Sequence, residues 1–86
     1  MTRTSAPDRA LAATLRRIRE DRGITLEALA FRSGITVSAL SRIELARTAP
    51  GWDTVRVIAQ ALGVGMVELS AAVEGRPLPA GCAPIR

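Results

Sequence analysis

Apolar residues recur along this chain at the spacing of one helical face, three and four residues apart. Five segments show the pattern, and glycine, proline or threonine stands near most of the boundaries between them. We therefore expect an all-α fold whose core is aliphatic. The residues that define the five inward faces are Leu11, Leu15 and Ile18; Leu26, Leu29 and Ala30; Ile35, Leu40 and Ile43; Val55, Ile58, Ala59 and Leu62; and Met66 and Leu69.

The residues between these segments predict where helices start and stop. Thr25 and Thr36 precede the second and third apolar segments, where a threonine hydroxyl can cap the first turn of a helix. Gly23 and Gly63 follow the first and fourth segments, in the position where glycine commonly ends a helix. The predicted helix starts and ends therefore agree with the five helices that the apolar spacing predicts.

Residues 26–44 contain the most informative pattern, which is two short amphipathic segments joined by a tight connection. Ala30 is small enough to let the second helix approach the first, and Gly34 can adopt the positive φ of a sharp turn. The apolar residues of the second segment face inward, whereas the face that begins at Thr36 is left polar. This arrangement is typical of a helix-turn-helix, whose second helix reads the major groove of DNA.

Composition agrees with a nucleic-acid ligand without requiring one. The chain has 86 residues, enough for one small domain, and 48% of them are hydrophobic. Twelve arginines and no lysine stand against eight acidic residues, which gives a net charge of +4. A basic domain favours an anionic polymer as partner. Because a composition rich in alanine and arginine also accompanies a GC-rich genome, charge alone leaves both explanations open.

The residues that would carry enzymatic or metal chemistry are scarce. There is no histidine, and the single cysteine, Cys82, lies in a stretch rich in proline and glycine. No glycine-rich phosphate loop or metal-ligand spacing appears, so we expect a non-enzyme without cofactor, metal or small-molecule ligand. No apolar run approaches the roughly 18 residues of a membrane span, and no secretory signal is recognisable. We therefore expect a cytoplasmic protein with no membrane partner.

The two ends of the chain differ in composition from its middle. We expect residues 1–7 to form a flexible arm and residues 75–86, with three prolines and two glycines, to form a disordered tail. The helix-turn-helix domain then occupies residues 8–74. Arg3 or Arg9 could enter the minor groove of bound DNA, although a loose arm is the simpler expectation.

From Leu11 to Leu69 the chain resembles the Cro/C1 (XRE-type) helix-turn-helix family of phage-repressor-like regulators. The resemblance implies a compact five-helix, lambda-repressor-like domain that binds double-stranded DNA sequence-specifically, commonly as a homodimer, and regulates transcription. A restriction–modification controller, an antitoxin and an ordinary repressor remain open as subtypes. The segments that carry the resemblance are GIT at 23–25, LA at 29–30, GIT at 34–36, SRIE at 41–44, the proline at 50 and IAQALGV at 58–64.

Four positions depart from the family pattern. Leu26 stands where the family often has a glutamine that contacts phosphate, and Ala28 stands where an acidic residue is common. After Glu44 the family tends to have a polar residue and glycine, whereas this chain has Leu45 and Ala46. The shape of the turn that follows the third helix is therefore left open.

The recognition helix, about residues 36–45, supplies the candidate base contacts, which are Thr36, Val37, Ser38 and Arg42. Arg42 suits a bidentate contact with guanine, and Val37 suits the methyl group of thymine. Simpler explanations stay open, since Thr36 could act only as a helix cap, Val37 could be exposed incidentally, and Arg42 could contact phosphate or solvent.

Phosphate contacts are expected from helix ends and loops rather than from the reading face. Trp52 is expected first in the core, although its indole N–H could reach a phosphate. Arg17 and Arg32 are weaker candidates. The phosphate candidates are Thr25 and Leu26 through backbone N–H groups, Ser41 through its hydroxyl, Arg47 and Thr48 in the following loop, and Trp52.

The resemblance also implies a structural ion pair between Arg19 on the first helix and Glu44 at the end of the third.

Apolar residues late in the chain that the predicted core does not use are candidates for a homodimer interface, although scattered exposed valines carry no meaning by themselves. These residues are Val57, Met66, Val67 and Val73. The alternative function is an antitoxin-like or other protein-interaction module whose C-terminal region binds a partner protein. A lack of binding to duplex DNA even at low salt would favour this alternative.

Overall fold

The computed structural model describes residues 8–75, which form five α-helices and no strand. The expectation of an all-α, five-helix fold is therefore confirmed. The arm at residues 1–7, with Arg3, lies outside the described residues, and so does the tail beyond Gly75, with Cys82. The helices are α1 (Arg9–Asp21), α2 (Leu26–Ser33), α3 (Val37–Glu44), α4 (Trp52–Leu62) and α5 (Met66–Glu74).

The core is aliphatic, and every helix contributes to it. Each fully buried leucine or isoleucine removes enough apolar surface from water to contribute roughly 1.5–3 kcal/mol to stability. With α4 packed on α2 and α5 packed on α1, these side chains meet in a single cluster. The largest fully buried side chains, one from each helix, are Leu15, Leu29, Leu40, Ile58 and Leu69.

The two aromatic residues lie outside this core. Phe31 is 88% exposed and Trp52 is 65% exposed, so the expectation that Trp52 would be buried is wrong. Trp52 is the first residue of α4, and the buried face of that helix begins only at Val55. The position of Trp52 therefore places its indole at the surface, in a depression that it shares with Asp8 and Leu11 at the start of α1 and with residues of α5.

Three of the connections between helices use one backbone design. A glycine with φ of +67° to +79° ends the helix, and the next residue donates its backbone N–H to a carbonyl five positions earlier. In the sequence, each of these turns is recognisable as a glycine followed by isoleucine or valine. The three closing bonds are Ile24 to Arg19 at 3.1 Å, Ile35 to Ala30 at 3.1 Å, and Val64 to Ala59 at 2.9 Å.

The turn after α3, which the sequence left open, has the same closing pattern without a glycine. Ala46 takes φ of +58°, and Arg47 donates its N–H to the carbonyl of Arg42 at 2.8 Å. A left-handed backbone at a residue with a Cβ costs roughly 1–2 kcal/mol. The turn is therefore kept in shape by its hydrogen bond and its surroundings, and alanine is strained where glycine would be relaxed.

The residue that follows the last turn of α1 is hydrogen-bonded to the turn between α4 and α5. Arg22, the C-cap of α1, donates a hydrogen bond from Nη1 to the carbonyl of Leu62, and the same Nη1 lies 3.4 Å from the carbonyl of Gly63.

None of the described helices is by itself long and apolar enough to cross a membrane. Only α4 and α5 taken together reach that length and composition, across a bend of 100°.

Candidate nucleic-acid interface

Both helices of the α2–α3 unit begin with a threonine cap. The Thr25 hydroxyl oxygen accepts the backbone N–H of Ala28, and the Thr36 oxygen accepts that of Ala39, each at 3.0 Å. The two predicted caps are therefore confirmed. Since each cap satisfies only one first-turn amide, others at the start of each helix remain available to an anion approaching along the axis.

Helix α3 has one face locked into the protein and one face turned to solvent. Leu40, Ile43 and Glu44 are at most 8% exposed and form the inner face. The other face is uncovered by the rest of the described chain, and two of its members, Ser38 and Arg42, lie one helical turn apart. The exposed residues of this outer face are Thr36, Val37, Ser38 and Arg42. A groove of DNA could therefore meet these four side chains without any rearrangement of the fold.

The inner face of α3 is tied to α1 by a two-bonded ion pair. Arg19 donates from Nε to one Glu44 oxygen at 2.7 Å and from Nη2 to the other at 3.0 Å. Its Nη1 donates to the carbonyl of Ile24 at 2.9 Å. The pKa of Arg19 is raised, chiefly because its guanidinium donates to the Glu44 carboxylate. The arginine thus joins the end of α3 both to α1 and to the residue before Thr25.

The phosphate candidates divide into two groups by exposure. Thr25, Arg47, Thr48 and Trp52 are exposed. Leu26 and Ser41 are partly buried and lie together in a depression of about 190 Å³. This depression lies where the start of α2, the end of α3 and the middle of α1 converge, and it is lined by Arg16, Arg19, Leu26, Ser41, Glu44 and Leu45.

One residue at this site, Arg16 of α1, is not among the candidates that the sequence suggests. Arg16 is exposed, yet it lines the depression that contains Leu26 and Ser41. It also lines a larger hollow of about 450 Å³, together with Arg9 and Arg17. The available signal was spacing, because Arg16 precedes Arg19 by three residues and so shares its side of α1.

The candidate dimerisation residues do not form one uniform patch. Val57 and Val67 are 38% and 58% exposed, in line with apolar residues that the core does not use. Met66 and Val73 are partly buried and pack against the core, so the view of Val73 as left over from the core is wrong. Val73 faces inward because α5 packs along α1, a contact that spacing within α5 does not reveal.

Comparison with known proteins agrees with this geometry. The helix-turn-helix domain family matches residues 10–72. The chain is also 39% identical over 61 residues to the uncharacterised HTH-type transcriptional regulator y4dJ of Sinorhizobium fredii, a match that covers 71% of this chain and 79% of that protein.

Solved structures of regulators share the fold. The clp gene regulator ClgR of Corynebacterium glutamicum superposes with a TM-score of 0.76 at 31% identity, covering 79% of this chain and 72% of that one. The restriction-modification controller protein C.AhdI of Aeromonas hydrophila gives 0.68 at 28%, covering 71% and 92%. The controller protein C.Esp1396I, solved as a tetramer with its natural 35 base-pair operator, gives 0.75 at 22%, covering 78% and 88%. This last likeness concerns the fold alone.

The family match spans nearly all of the described helices, and the curated relative is similar over most of its own length. The uncovered outer face of α3 is the feature that such a domain presents to DNA. The chain belongs to the helix-turn-helix domain family of DNA-binding transcriptional regulators, a family of regulators rather than enzymes.

Proposed function

We propose that this protein regulates transcription by inserting the outer face of α3, about residues 36–45, into the major groove of a specific DNA site. The observation that carries the proposal is the division of α3 into two faces. Its inner face is fixed by the core and by the Arg19–Glu44 pair, whereas its outer face is exposed. A reading helix held rigidly from behind keeps the side chains in register with base edges.

Four side chains of the outer face read bases in this proposal. Arg42 makes a bidentate contact with O6 and N7 of a guanine, and Val37 packs on the methyl group of a thymine. Ser38 lies one turn before Arg42 and hydrogen-bonds a neighbouring base edge or phosphate. The hydroxyl of Thr36 accepts from Ala39 and still has a proton to donate to DNA.

Phosphate contacts on both sides of the reading helix set its register. The amides at the start of α2, next to Thr25 and Leu26, point along the helix axis and attract a phosphate. The Ser41 hydroxyl serves the same strand. Arg47 and Thr48 contact the backbone from the loop after α3, and the exposed indole of Trp52 donates its N–H to a phosphate from the start of α4.

A single reading helix covers only a few base pairs, so we propose that two copies bind a pseudo-palindromic site. Val57 and Val67 supply exposed apolar surface for the contact between copies. Met66 and Val73, which are partly buried against the core, contribute the part of their surface that remains accessible. The controller C.Esp1396I, which shares the fold, was solved as a tetramer on its operator. That arrangement, in a protein with the same fold, supports the proposal of paired binding.

Selection of bound fragments from a random pool of duplex DNA tests the proposal. We expect an inverted repeat whose half-sites lie about 10–10.5 base pairs apart, centre to centre. The Arg42→Ala variant, carried through the same selection, should lose the preference at one base pair of each half-site. If the folded wild-type protein enriches no sequence and binds no duplex at low salt, the proposal is wrong. Recovery of a single unrepeated half-site would overturn the homodimer alone.

A further inference from the structure

We propose that Arg16 binds the DNA backbone and that Glu20 competes with the phosphate for it, so that Glu20 weakens DNA binding. This inference rests on the proposed function and extends the DNA-binding surface from the α2–α3 unit onto α1. The ligand is a phosphodiester group of the strand that passes the start of α2. The contact is independent of base sequence.

Arg16 connects two hollows of the surface. The smaller one contains Leu26 and Ser41, both proposed to contact phosphate. The larger one continues along α1 past Arg9 and Arg17. Because Arg16 lines both, a strand whose phosphate reaches Leu26 and Ser41 passes directly by its guanidinium. The two arginines beyond it then extend a basic path for the same strand.

The carboxylates near Arg16 differ in what they do to a phosphate. Glu44 is 8% exposed, and its two oxygens already accept from Arg19, so its charge is compensated. Glu20 is at the surface, and its side chain is 54% exposed. Of the two carboxylates that line the larger hollow, Glu20 is therefore the one that repels an approaching phosphate.

Glu20 also occupies one donor of the Arg16 fork that a phosphate could use. The Nε of Arg16 donates to Glu20 Oε2 at 3.1 Å, in a pair exposed on both sides. Exposed pairs of this kind are weak, and an arginine has five N–H donors in a fixed fork. A phosphate, which accepts two parallel bonds from that fork, can therefore displace the carboxylate. The free and bound proteins then differ in the acceptor that Arg16 serves.

Because a phosphate contact does not depend on base sequence, any mixed-sequence duplex of about 20 base pairs serves as the probe, titrated at several salt concentrations. Arg16→Ala should weaken binding roughly five- to tenfold and lower the slope of log affinity against log salt by about 0.9. Glu20→Gln should strengthen binding about two- to fivefold. Both side chains are exposed, so each variant should unfold at nearly the same temperature as the wild type.

Asp21→Asn is the matched control for Glu20→Gln. It removes the same charge one residue further along α1, from a position that lines neither hollow. Its gain should be smaller than that of Glu20→Gln. In an Arg16→Ala background, Glu20→Gln should lose its advantage over Asp21→Asn, because the competition requires Arg16.

Equal gains from Glu20→Gln and Asp21→Asn would overturn the inference and leave only an effect of net charge. A gain from Glu20→Gln that persists fully without Arg16 would overturn it as well. Both outcomes leave the proposed function intact, provided that the wild-type protein binds the duplex. Absence of wild-type binding at low salt would instead defeat the proposed function, and the inference with it.

Discussion

The turn between α2 and α3 and the turn between α4 and α5 have matching backbones. Gly34 and Gly63 take φ of +73° and +79°, and the next residue of each turn closes it onto an alanine carbonyl at 3.1 and 2.9 Å. In both turns the following residue has extended backbone and precedes a new helix. The backbone alone therefore does not distinguish the helix proposed to read DNA from the one that does not.

The side chains after these turns make the difference. Thr36 caps α3 with its hydroxyl, and the first turn of α3 contains no acidic residue. Gly65 has no side chain to offer, and instead donates its own N–H to the carboxylate of Glu68 at 2.9 Å. A carboxylate in the first turn stabilises α5 but repels phosphate. Helix α3, unlike α5, therefore begins without a carboxylate in its first turn, as a helix that approaches phosphate requires.

The largest effect should follow from breaking the support beneath α3. Glu44→Ala leaves the partly buried Arg19 without its carboxylate partner, which should reduce the free energy of unfolding by roughly 1.5–3 kcal/mol. Arg19→Ala should also be costly, and the double variant should lose less than the sum of the two, as measured by urea denaturation. Losses that add within about 0.5 kcal/mol would contradict a coupled pair.

The next effect concerns the outer face. Arg42→Ala should leave stability nearly unchanged and reduce the free energy of specific DNA binding by roughly 1–3 kcal/mol, since it removes a bidentate contact with guanine. Fluorescence anisotropy with the selected site and with single-base variants measures this. Arg56→Ala, at an exposed position of α4, removes the same charge away from α3 and is the matched control, so its loss should be smaller. An equal loss on all sequences would assign Arg42 to phosphate instead.

A smaller effect should come from the cap of α3. Thr36→Ala removes the acceptor of the Ala39 N–H, and the free energy of unfolding should fall by about 1 kcal/mol. Urea denaturation measures the loss. Thr36→Ser keeps a hydroxyl in the same position and should retain most of the stability. A Thr36→Ser variant as unstable as Thr36→Ala would show that the hydroxyl is not what stabilises α3.

The smallest effect should come from giving α5 the kind of cap that α3 has. Gly65 has φ of −74°, which any residue adopts, and a Cβ there would meet Glu68 Oε1 at an ordinary 3.5 Å. Gly65→Ser should therefore raise the free energy of unfolding by a few tenths of a kcal/mol. Thermal unfolding beside the wild type detects the shift. A loss of stability would mean that the serine disturbs the Glu68 contact.

The sequence predicted the features that depend on neighbours in the chain. The caps at Thr25 and Thr36, the turn at Gly34 and the buried face of α4 each follow from spacing within a few residues. The resemblance to a known family added the Arg19 and Glu44 positions, which no local pattern joins across 25 residues.

The features that escaped prediction depend on contacts between distant segments. Trp52 was expected in the core, but aliphatic side chains from the five helices fill that space. Arg16 reads as an ordinary solvated residue until the start of α2 and the end of α3 are placed beside it. Arg22 likewise gains its role only from the carbonyls of Leu62 and Gly63, 40 and 41 residues away.

The left-handed backbone of Ala46 restricts which residues this position can accept as the sequence diverges. Glycine or asparagine would relieve the local conformation, whereas valine, isoleucine or threonine would oppose it more strongly than alanine does. Among related chains that keep the same turn, variation at this site should therefore narrow to small or αL-tolerant residues. This restriction on residue type would arise from the backbone conformation of the turn and would not depend on the operator that each relative recognises.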